Sequence, residues 1–273
     1  MTSALPKKHA STGIDPERRR ERELRAQGIA FVAGVDEAGI GPLAGPVVAA
    51  AVILPPDFNT ALVQDSKKLS PRARERALTQ VREHATAVAI AVVEPSEIDE
   101  LNIHHAGLAA MRRAVERLNP KAGHALVDGH RIPDLGCGQT RIVGGDGREA
   151  SIAAASIVAK VTRDEIMIAL DQEFPKYGFR GHKGYPTAHH REALERLGAS
   201  PVHRMSYPAV QALIGNFSPR YDALMAAAHA VQDADGLSAW RRRVHQERHA
   251  LSEPELKRLR SAMARKMARK SRS

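Results

Sequence analysis

Two adjacent carboxylates, Asp36 and Glu37, lie within an otherwise apolar stretch, residues 32–54 (VAGVDEAGIGPLAGPVVAAAVIL). The residues before them have the pattern of a buried strand, and a turn rich in Gly and Pro follows. Burying a carboxylate costs free energy unless the group is hydrogen-bonded, paired with a cation or bound to a metal. The pair therefore predicts a cation-binding site at a strand end, although two such acids are also typical of a turn or a helix N-cap.

Two further acids follow predicted strands. Asp128 closes the apolar segment ALVD, and Asp146 lies in GGDG, after the strand-like RIV and before a long helical segment. Acids at the ends of several strands can converge at one edge of a sheet, and four such carboxylates suit Mg²⁺ or Mn²⁺, which prefer hard oxygen ligands. Asp beside Gly is also common in turns, so each acid alone leaves a structural role open. We interpret Asp134 as a turn residue and Asp164 as an ion-pair partner on a helix.

The sequence argues against a zinc site. It has a single cysteine, Cys137, and no HExxH motif, and the pairs His104-His105 and His189-His190 lack the spacing of zinc ligands. We expect these histidines to be surface or loop residues. One cysteine also excludes an internal disulfide, which fits a reducing compartment.

Charge is distributed unevenly along the chain. The net charge is +10, yet residues 241–273 carry twelve Lys and Arg against three acids, and residues 31–240 are slightly acidic. Basic proteins commonly have polyanionic partners. The distribution favours a metal-dependent site on phosphodiesters in the body and a separate electrostatic grip in the basic tails. A solvated, partly disordered tail is the alternative for the last twenty residues.

The chain has 273 residues, 43% of them hydrophobic, which predicts one main domain with an appendage. The apolar runs are too short to cross a bilayer, and the N-terminal residues have no signal-peptide pattern. We therefore expect a cytoplasmic protein with no membrane association. The predicted parts are an N-terminal charged segment (1–28), a catalytic domain (29–212) and a helical, basic C-terminal extension (213–273).

The acids require a sheet to position them. Helix signals include Ser70 as an N-cap with Pro71 at the first helical position. Strands alternating with helices, followed by helices alone, predict an α/β fold: a mixed sheet flanked by helices with a helical C-terminal part. The predicted strands are 31–36, 46–54, 86–94, 124–128 and 139–143, and the predicted helices are 16–26, 70–84, 96–118, 148–172, 187–197, 219–232, 237–251 and 254–270.

Six motifs together resemble those of ribonuclease HII, the type 2 ribonuclease H, in order and approximate spacing over residues 21–212. They are AGVDEAGIGPLAGPVVA (33–49), DSKKLS (65–70), VDGH (127–130), GGDGREASIAAASIVAKVTRD (144–164), GHKGYPTAHH (181–190) and HRMSYPAV (203–210). The resemblance implies a ribonuclease H-like fold with a five-stranded sheet, and cleavage of RNA that is joined to DNA or paired with it.

The family's four catalytic acids fall, by motif position, on the residues that the apolar-strand pattern had already selected: Asp36, Glu37, Asp128 and Asp146. The resemblance implies that the first three bind Mg²⁺ or Mn²⁺ and that hydrolysis uses two ions, one activating water and one stabilising the leaving 3′ oxygen. The implied substrates are RNA/DNA hybrids and duplex DNA containing ribonucleotides, cut on the 5′ side of a ribonucleotide. We expect a monomer that uses no nucleotide cofactor.

The turn after the acid pair departs from the family pattern. Members of the family have Gly-Arg-Gly there, whereas this chain has Ile40 between two glycines. The missing guanidinium removes a charge-assisted hydrogen bond, so we expect weakened recognition of the RNA–DNA junction with the chemistry retained. The implied substrate-binding residues are Gly39, Ile40, Gly41, Lys67 and Tyr185. The alternative for Tyr185 is that it only anchors its loop, and the alternative for Lys67 is that it is a solvated lysine.

Three other functions are compatible with parts of the sequence. The spacing of Gly39, Gly41 and Gly45 suggests a dinucleotide-binding turn, but prolines interrupt it and a strand pattern follows where a helix should begin. Another nuclease with the ribonuclease H fold would share the acids but should lack HKGY and DSKKLS. A catalytically silent nucleic-acid-binding protein is favoured only by Ile40.

Overall fold

The structure, a computed structural model, describes residues 18–63, 70–214, 218–231 and 233–251, and the pairs 255–256, 259–260 and 262–263. The chain divides into two compact units, one ending at Val210 and the other beginning at Gln211. The limits predicted for three independent parts, 1–28, 29–212 and 213–273, stay predictions.

The first unit is built on a mixed five-stranded sheet, as predicted. Strand β1 pairs antiparallel with β2, which pairs antiparallel with β3, whereas β1, β4 and β5 run parallel. The order across the sheet is β3-β2-β1-β4-β5, so β1 is the central strand. The strands are β1 (Val32–Ala38), β2 (Val47–Ile53), β3 (Ala87–Val93), β4 (His124–Asp128) and β5 (Gly138–Ile142).

Helices cover both faces of this sheet. One face packs on α3 and α4, and the other packs on α2 and α5. Helix α2 begins as predicted, because the Ser70 side chain accepts a hydrogen bond from the Ala73 amide. The helices of this part of the chain are α1 (Arg19–Ala26), α2 (Pro71–His84), α3 (Pro95–Leu101), α4 (Ile103–Glu116), α5 (Ala150–Glu173), α6 (Phe179–His182), α7 (Ala188–Leu197) and α8 (Pro208–Ile214).

The prediction of one helix over 96–118 was wrong. Asn102 interrupts it with a φ of 63°, and its side chain accepts hydrogen bonds from the amides of His104 and His105. Asn adopts the left-handed region more readily than most residues and caps helices well, so two helices form in place of one. Helices α6 and α8 were not predicted, since each is short and follows a loop rich in Gly or Pro.

Helix α5 packs closely on the central strand because both surfaces carry small residues. Gly34 of β1 lies so near the α5 backbone that a β-carbon there would come 2.0 Å from the carbonyl carbon of Ser151. The Ala- and Ser-rich first half of α5 is buried, as its sequence predicted. This contact fixes the helix against the strand that carries Asp36.

The second unit is helical around its own core. Its elements are α9 (Pro219–Ala230), α10 (Ala234–Glu247) and a 3₁₀ turn (Arg248–Ala250). Trp240 is buried and donates its indole N–H to the carbonyl of Leu224 at 2.7 Å. Within the predicted helix 254–270, Leu259 is buried in this core, and Met267 lies outside the described residues. Within the described residues no helix combines the length and the apolar character needed to cross a membrane.

Candidate active site

Three acids lie along the edge of the sheet where the parallel strands end. The register pairs Val35 of β1 with Val127 of β4, so the next residue on each strand, Asp36 and Asp128, stand on adjacent strands. Asp146 follows β5 in a 3₁₀ turn, and the neighbouring Gly145 amide donates to Asp128 Oδ1 at 2.7 Å. The acids predicted from strand ends are thus brought to one edge by sheet topology.

Asp36 is buried, with 5% of its surface exposed. Burial raises its pKa well above the ordinary value, and the nearby Glu37 carboxylate raises it further. Hydrogen bonds from the Ser156 side chain and the Glu37 amide oppose this shift, while Asp128 adds to it. Among the described residues, the charged groups that act on the Asp36 carboxylate are thus the acids Glu37 and Asp128.

The donor set at this edge fits a hard divalent cation. Carboxylate oxygens are the ligands that Mg²⁺ and Mn²⁺ prefer, and a cation here would offset the repulsion among Asp36, Glu37 and Asp128. Between described residues, no Lys or Arg forms an ion pair with Asp36, and no three His, Cys, Asp or Glu side chains are gathered as they are around a bound ion. The fit therefore rests on donor chemistry and charge.

A buried arginine from α5 holds the turn that follows β1. Arg163 is fully buried, and its Nε donates to the carbonyl of Pro46 at 2.9 Å. Its other nitrogens donate to the carbonyls of Ala44 and Lys183. Burial lowers the pKa of Arg163 to about 10, so the group stays charged at neutral pH. It links the turn after β1 to the loop that carries Tyr185.

A second buried arginine holds the same turn. Arg204 donates to the carbonyls of Gly39 at 2.6 Å and Ile40 at 3.1 Å, and its Nε donates to Gly45 at 3.0 Å. The guanidinium is fully buried. Because these bonds reach main-chain carbonyls, the turn keeps its shape whichever side chain stands at position 40.

The structure brings together four of the five predicted substrate contacts. A β-carbon on Gly41 would lie 3.7 Å from Cε1 of Tyr185, so the glycine turn and the tyrosine are neighbours. Tyr185 is 42% exposed and Ile40 is 38% exposed. The Ile40 side chain lies beside Gly107 of α4. The remaining predicted contact, Lys67, lies outside the described residues.

Comparison with known proteins decides the family. The model of the family described as Ribonuclease HII matches residues 33–210. The chain belongs to the ribonuclease HII family. It is 53% identical over 197 residues to Ribonuclease HII from Anaeromyxobacter sp. (strain Fw109-5), an alignment covering 72% of this chain and 62% of that protein.

Other comparisons agree with this family. Ribonuclease HII from Moorella thermoacetica is 54% identical over 187 residues, covering 68% of this chain and 91% of that protein. The crystal structure of ribonuclease H2 from Pyrococcus horikoshii OT3 superposes with a TM-score of 0.58 at 26% identity, over 67% of this chain and 96% of that one. The predicted fold is confirmed, and membership of this family confirms the prediction of a metal-dependent hydrolase of the ribonuclease H type.

Outcomes differ for the residues given structural roles. Asp134 lies in a turn with a φ of 52°, and Asp164 pairs with Lys160 of α5 at 2.6 Å, as predicted. Both histidine pairs lie on helices, and His190 is fully buried, so its assignment to the surface was wrong. Hydrogen bonds made by both of its ring nitrogens offset the cost of burying the imidazole.

The buried histidine belongs to a directed chain of hydrogen bonds. The Ser200 amide donates to Nδ1 of His203, which places the proton of that neutral ring on Nε2. His203 Nε2 lies 3.0 Å from Nε2 of His190, whose Nδ1 lies 2.9 Å from the carbonyl of Tyr185. With backbone groups fixing both ends, His190 must donate to Tyr185. The chain therefore holds the backbone of the exposed tyrosine.

Sequence reasoning did not find this chain or the two buried arginines. All four side chains lie within the motifs that resemble the family, in VTRD, TAHH and HRMSYPAV. Their partners, however, are main-chain groups distant in sequence, and the contact of Arg204 with Gly39 spans 165 positions. Contacts between residues so distant in sequence leave no periodic pattern in any local stretch of the chain.

We predict that replacing His190 by Leu destabilises the protein and makes its stability less dependent on pH. Burial lowers the pKa of His190 to about 4, whereas an unfolded histidine titrates near 6.5. The unfolded chain therefore binds more protons between these values, and stability falls as the pH falls through them. His190→Leu should cost roughly 1–3 kcal/mol at pH 7, because Tyr185 loses its donor.

Urea unfolding at pH 7 and pH 5 measures both effects. The exposed neighbour provides the control, since His189→Leu should leave the free energy of unfolding at pH 7 unchanged. An unchanged pH dependence in His190→Leu would contradict the assignment of a neutral, buried imidazole.

Proposed function

We propose that the protein is an endoribonuclease that hydrolyses the RNA strand of RNA/DNA hybrids and cuts 5′ of ribonucleotides embedded in duplex DNA. The products would carry 3′-hydroxyl and 5′-phosphate ends. The observation that carries the proposal is the buried Asp36, set beside Glu37 and Asp128 at the edge of a sheet of the ribonuclease HII family. Burying several carboxylates in one place costs free energy unless the site binds a cation.

Each residue of the site would have a role that follows from its position. Asp36, Glu37 and Asp128 would hold Mg²⁺ or Mn²⁺, and Asp146 completes the catalytic set from the turn after β5. When bound, two such ions would supply activation of the attacking water and stabilisation of the departing 3′ oxygen. The protein contributes orientation, because Asp36 accepts hydrogen bonds from the Ser156 side chain and the Glu37 amide. Asp128 is oriented by the Gly145 amide.

The substrate would be recognised by two segments that Arg163 links, the turn after β1 and the loop that carries Tyr185. Gly39 and Gly41 allow a sugar-phosphate backbone to approach the turn closely, and the exposed Tyr185 ring is available to stack on a sugar. Ile40 offers no hydrogen bond at the position where the family has Arg. We therefore propose that junction recognition is weakened while cleavage of continuous hybrids is retained.

Asp128→Asn tests the proposed chemistry. The substitution removes one anionic ligand while keeping an acceptor oxygen for the Gly145 amide, so folding and duplex binding should be unchanged. We expect cleavage of an RNA/DNA hybrid in Mg²⁺ to fall by about 100-fold or more, equivalent to about 2.7 kcal/mol in the barrier. The rate of single-turnover cleavage measures the effect.

Asp134→Asn is the matched control, because Asp134 lies in a turn and Asn tolerates its positive φ. This variant should cut at the wild-type rate. Wild-type turnover in Asp128→Asn would sink the proposal.

Ile40→Arg tests junction reading. Restoring the guanidinium should raise cleavage of a duplex with one embedded ribonucleotide by about tenfold or more, since a charge-assisted hydrogen bond contributes about 1.5–3 kcal/mol. The turn should accept the change because Arg204 holds it through backbone carbonyls. Cleavage of a continuous hybrid should change little.

Ile40→Leu is the control, as it preserves an apolar side chain beside Gly107 and should leave both rates unchanged. Equal rates for Ile40→Arg and Ile40→Leu on the single-ribonucleotide duplex would contradict the role of position 40. Cleavage of neither substrate by the wild type would favour a protein that only binds nucleic acid.

A further inference from the structure

The second unit contains a concave, positively charged surface outside residues 33–210, the part that matches the family. We call it the basic cleft and define it by Arg241, Arg242, His245, Arg248 and Arg260, which line a cavity of about 710 Å³. The first three residues lie on α10, and Arg248 lies in the 3₁₀ turn that continues it. All of its described lining residues belong to this unit.

The basic side chains follow one face of the helix. Arg241, His245 and Arg248 are separated by four and three positions, the spacing that places side chains on the same side of a helix. Seven residues of helix rise about 10.5 Å. The positive charge therefore extends along a line, which suits a ligand with repeated negative charges better than a single small anion.

Charges in the cleft lack the partners found elsewhere on the same helix. Within the described part of the chain, Arg241, Arg242 and Arg260 form no ion pair, whereas Arg243 pairs with Glu247 at 2.9 Å. Glu247 also lies 3.4 Å from Arg220. Helix α10 thus has one neutralised side and one side on which like charges repel. An anionic ligand would relieve that repulsion.

The rest of the described lining excludes a cation as the ligand. It contains no carboxylate, and its other members include Leu256 and Met263, which are also packed against the core of the unit. The core-packed side chains fix the surface from which the arginines project. A fixed surface loses less entropy on binding than a flexible tail does.

We propose that the basic cleft binds the phosphate backbone of duplex nucleic acid and provides a second grip on the substrate. The identity of that duplex as the enzyme's substrate rests on the proposed function, but binding itself requires no cleavage. Each phosphate neutralised by the cleft releases counterions, so the affinity should depend on salt with a slope of about 0.9 per phosphate on a log–log plot.

The test compares two double variants of the full chain. Arg241→Gln with Arg242→Gln removes two charges from the cleft, and Arg220→Gln with Arg243→Gln removes two charges paired with Glu247. Fluorescence anisotropy with an all-DNA duplex, over a series of salt concentrations without divalent cations, measures affinity without cleavage. The cleft variant should bind more weakly and its slope should fall by about 1.8, whereas the control should stay close to the wild type.

Each alternative outcome overturns the proposal. An unchanged slope in the cleft variant, or an equal change in both variants, would show that the cleft makes no specific contact with phosphates. If the cleft variant loses binding to a polyglutamate peptide while the salt dependence of its duplex affinity is unchanged, the cleft binds acidic proteins instead. Failure of the proposed function is distinct: it would appear as a normal slope change in a protein that cuts neither a hybrid nor a ribonucleotide-containing duplex.

Discussion

Electrostatic repulsion at the end of the central strand is the constraint on which the rest of the first unit depends. Asp36 is buried beside Glu37, and Asp128 stands on the adjacent parallel strand, so the folded chain holds like charges together in a place of low solvent access. Close packing of α5 on Gly34 keeps that strand in place and the Ser156 side chain near Asp36. A site of this kind is stabilised by a divalent cation and is unfavourable without one.

Buried positive charge organises the neighbouring surface. Arg163 and Arg204 are both fully buried, and both use their guanidinium groups on backbone carbonyls of the turn after β1. This explains how the chain can carry Ile40 in place of the family's arginine without losing the turn. The side chain proposed to contact substrate and the side chains that shape the turn are different residues, so the residue at position 40 can change while the acids stay where they are.

The sequence predicted the elements whose signals are local. All five strands, helix α5 and the N-cap at Ser70 follow from strand-like runs, helical patterns and capping residues, and the acids could be selected because each lies near the end of a predicted strand or in the turn after it. The break at Asn102 arises because the Asn102 side chain accepts hydrogen bonds from backbone amides at the start of α4, in competition with one continuous helix. The burial of His190 depends on partners brought together only by the fold, which no window of sequence contains.

Thermal unfolding of the wild type and Asp36→Asn, with and without Mg²⁺, tests the central claim most directly. Without the ion, Asp36→Asn should melt at a higher temperature than the wild type, because the substitution removes a buried negative charge beside Glu37. Saturating Mg²⁺ should stabilise the wild type, by about 2.7 kcal/mol at 100 times Kd, and leave Asp36→Asn almost unchanged. A variant that melts below the wild type without Mg²⁺, together with a wild type that Mg²⁺ does not stabilise, would contradict the account.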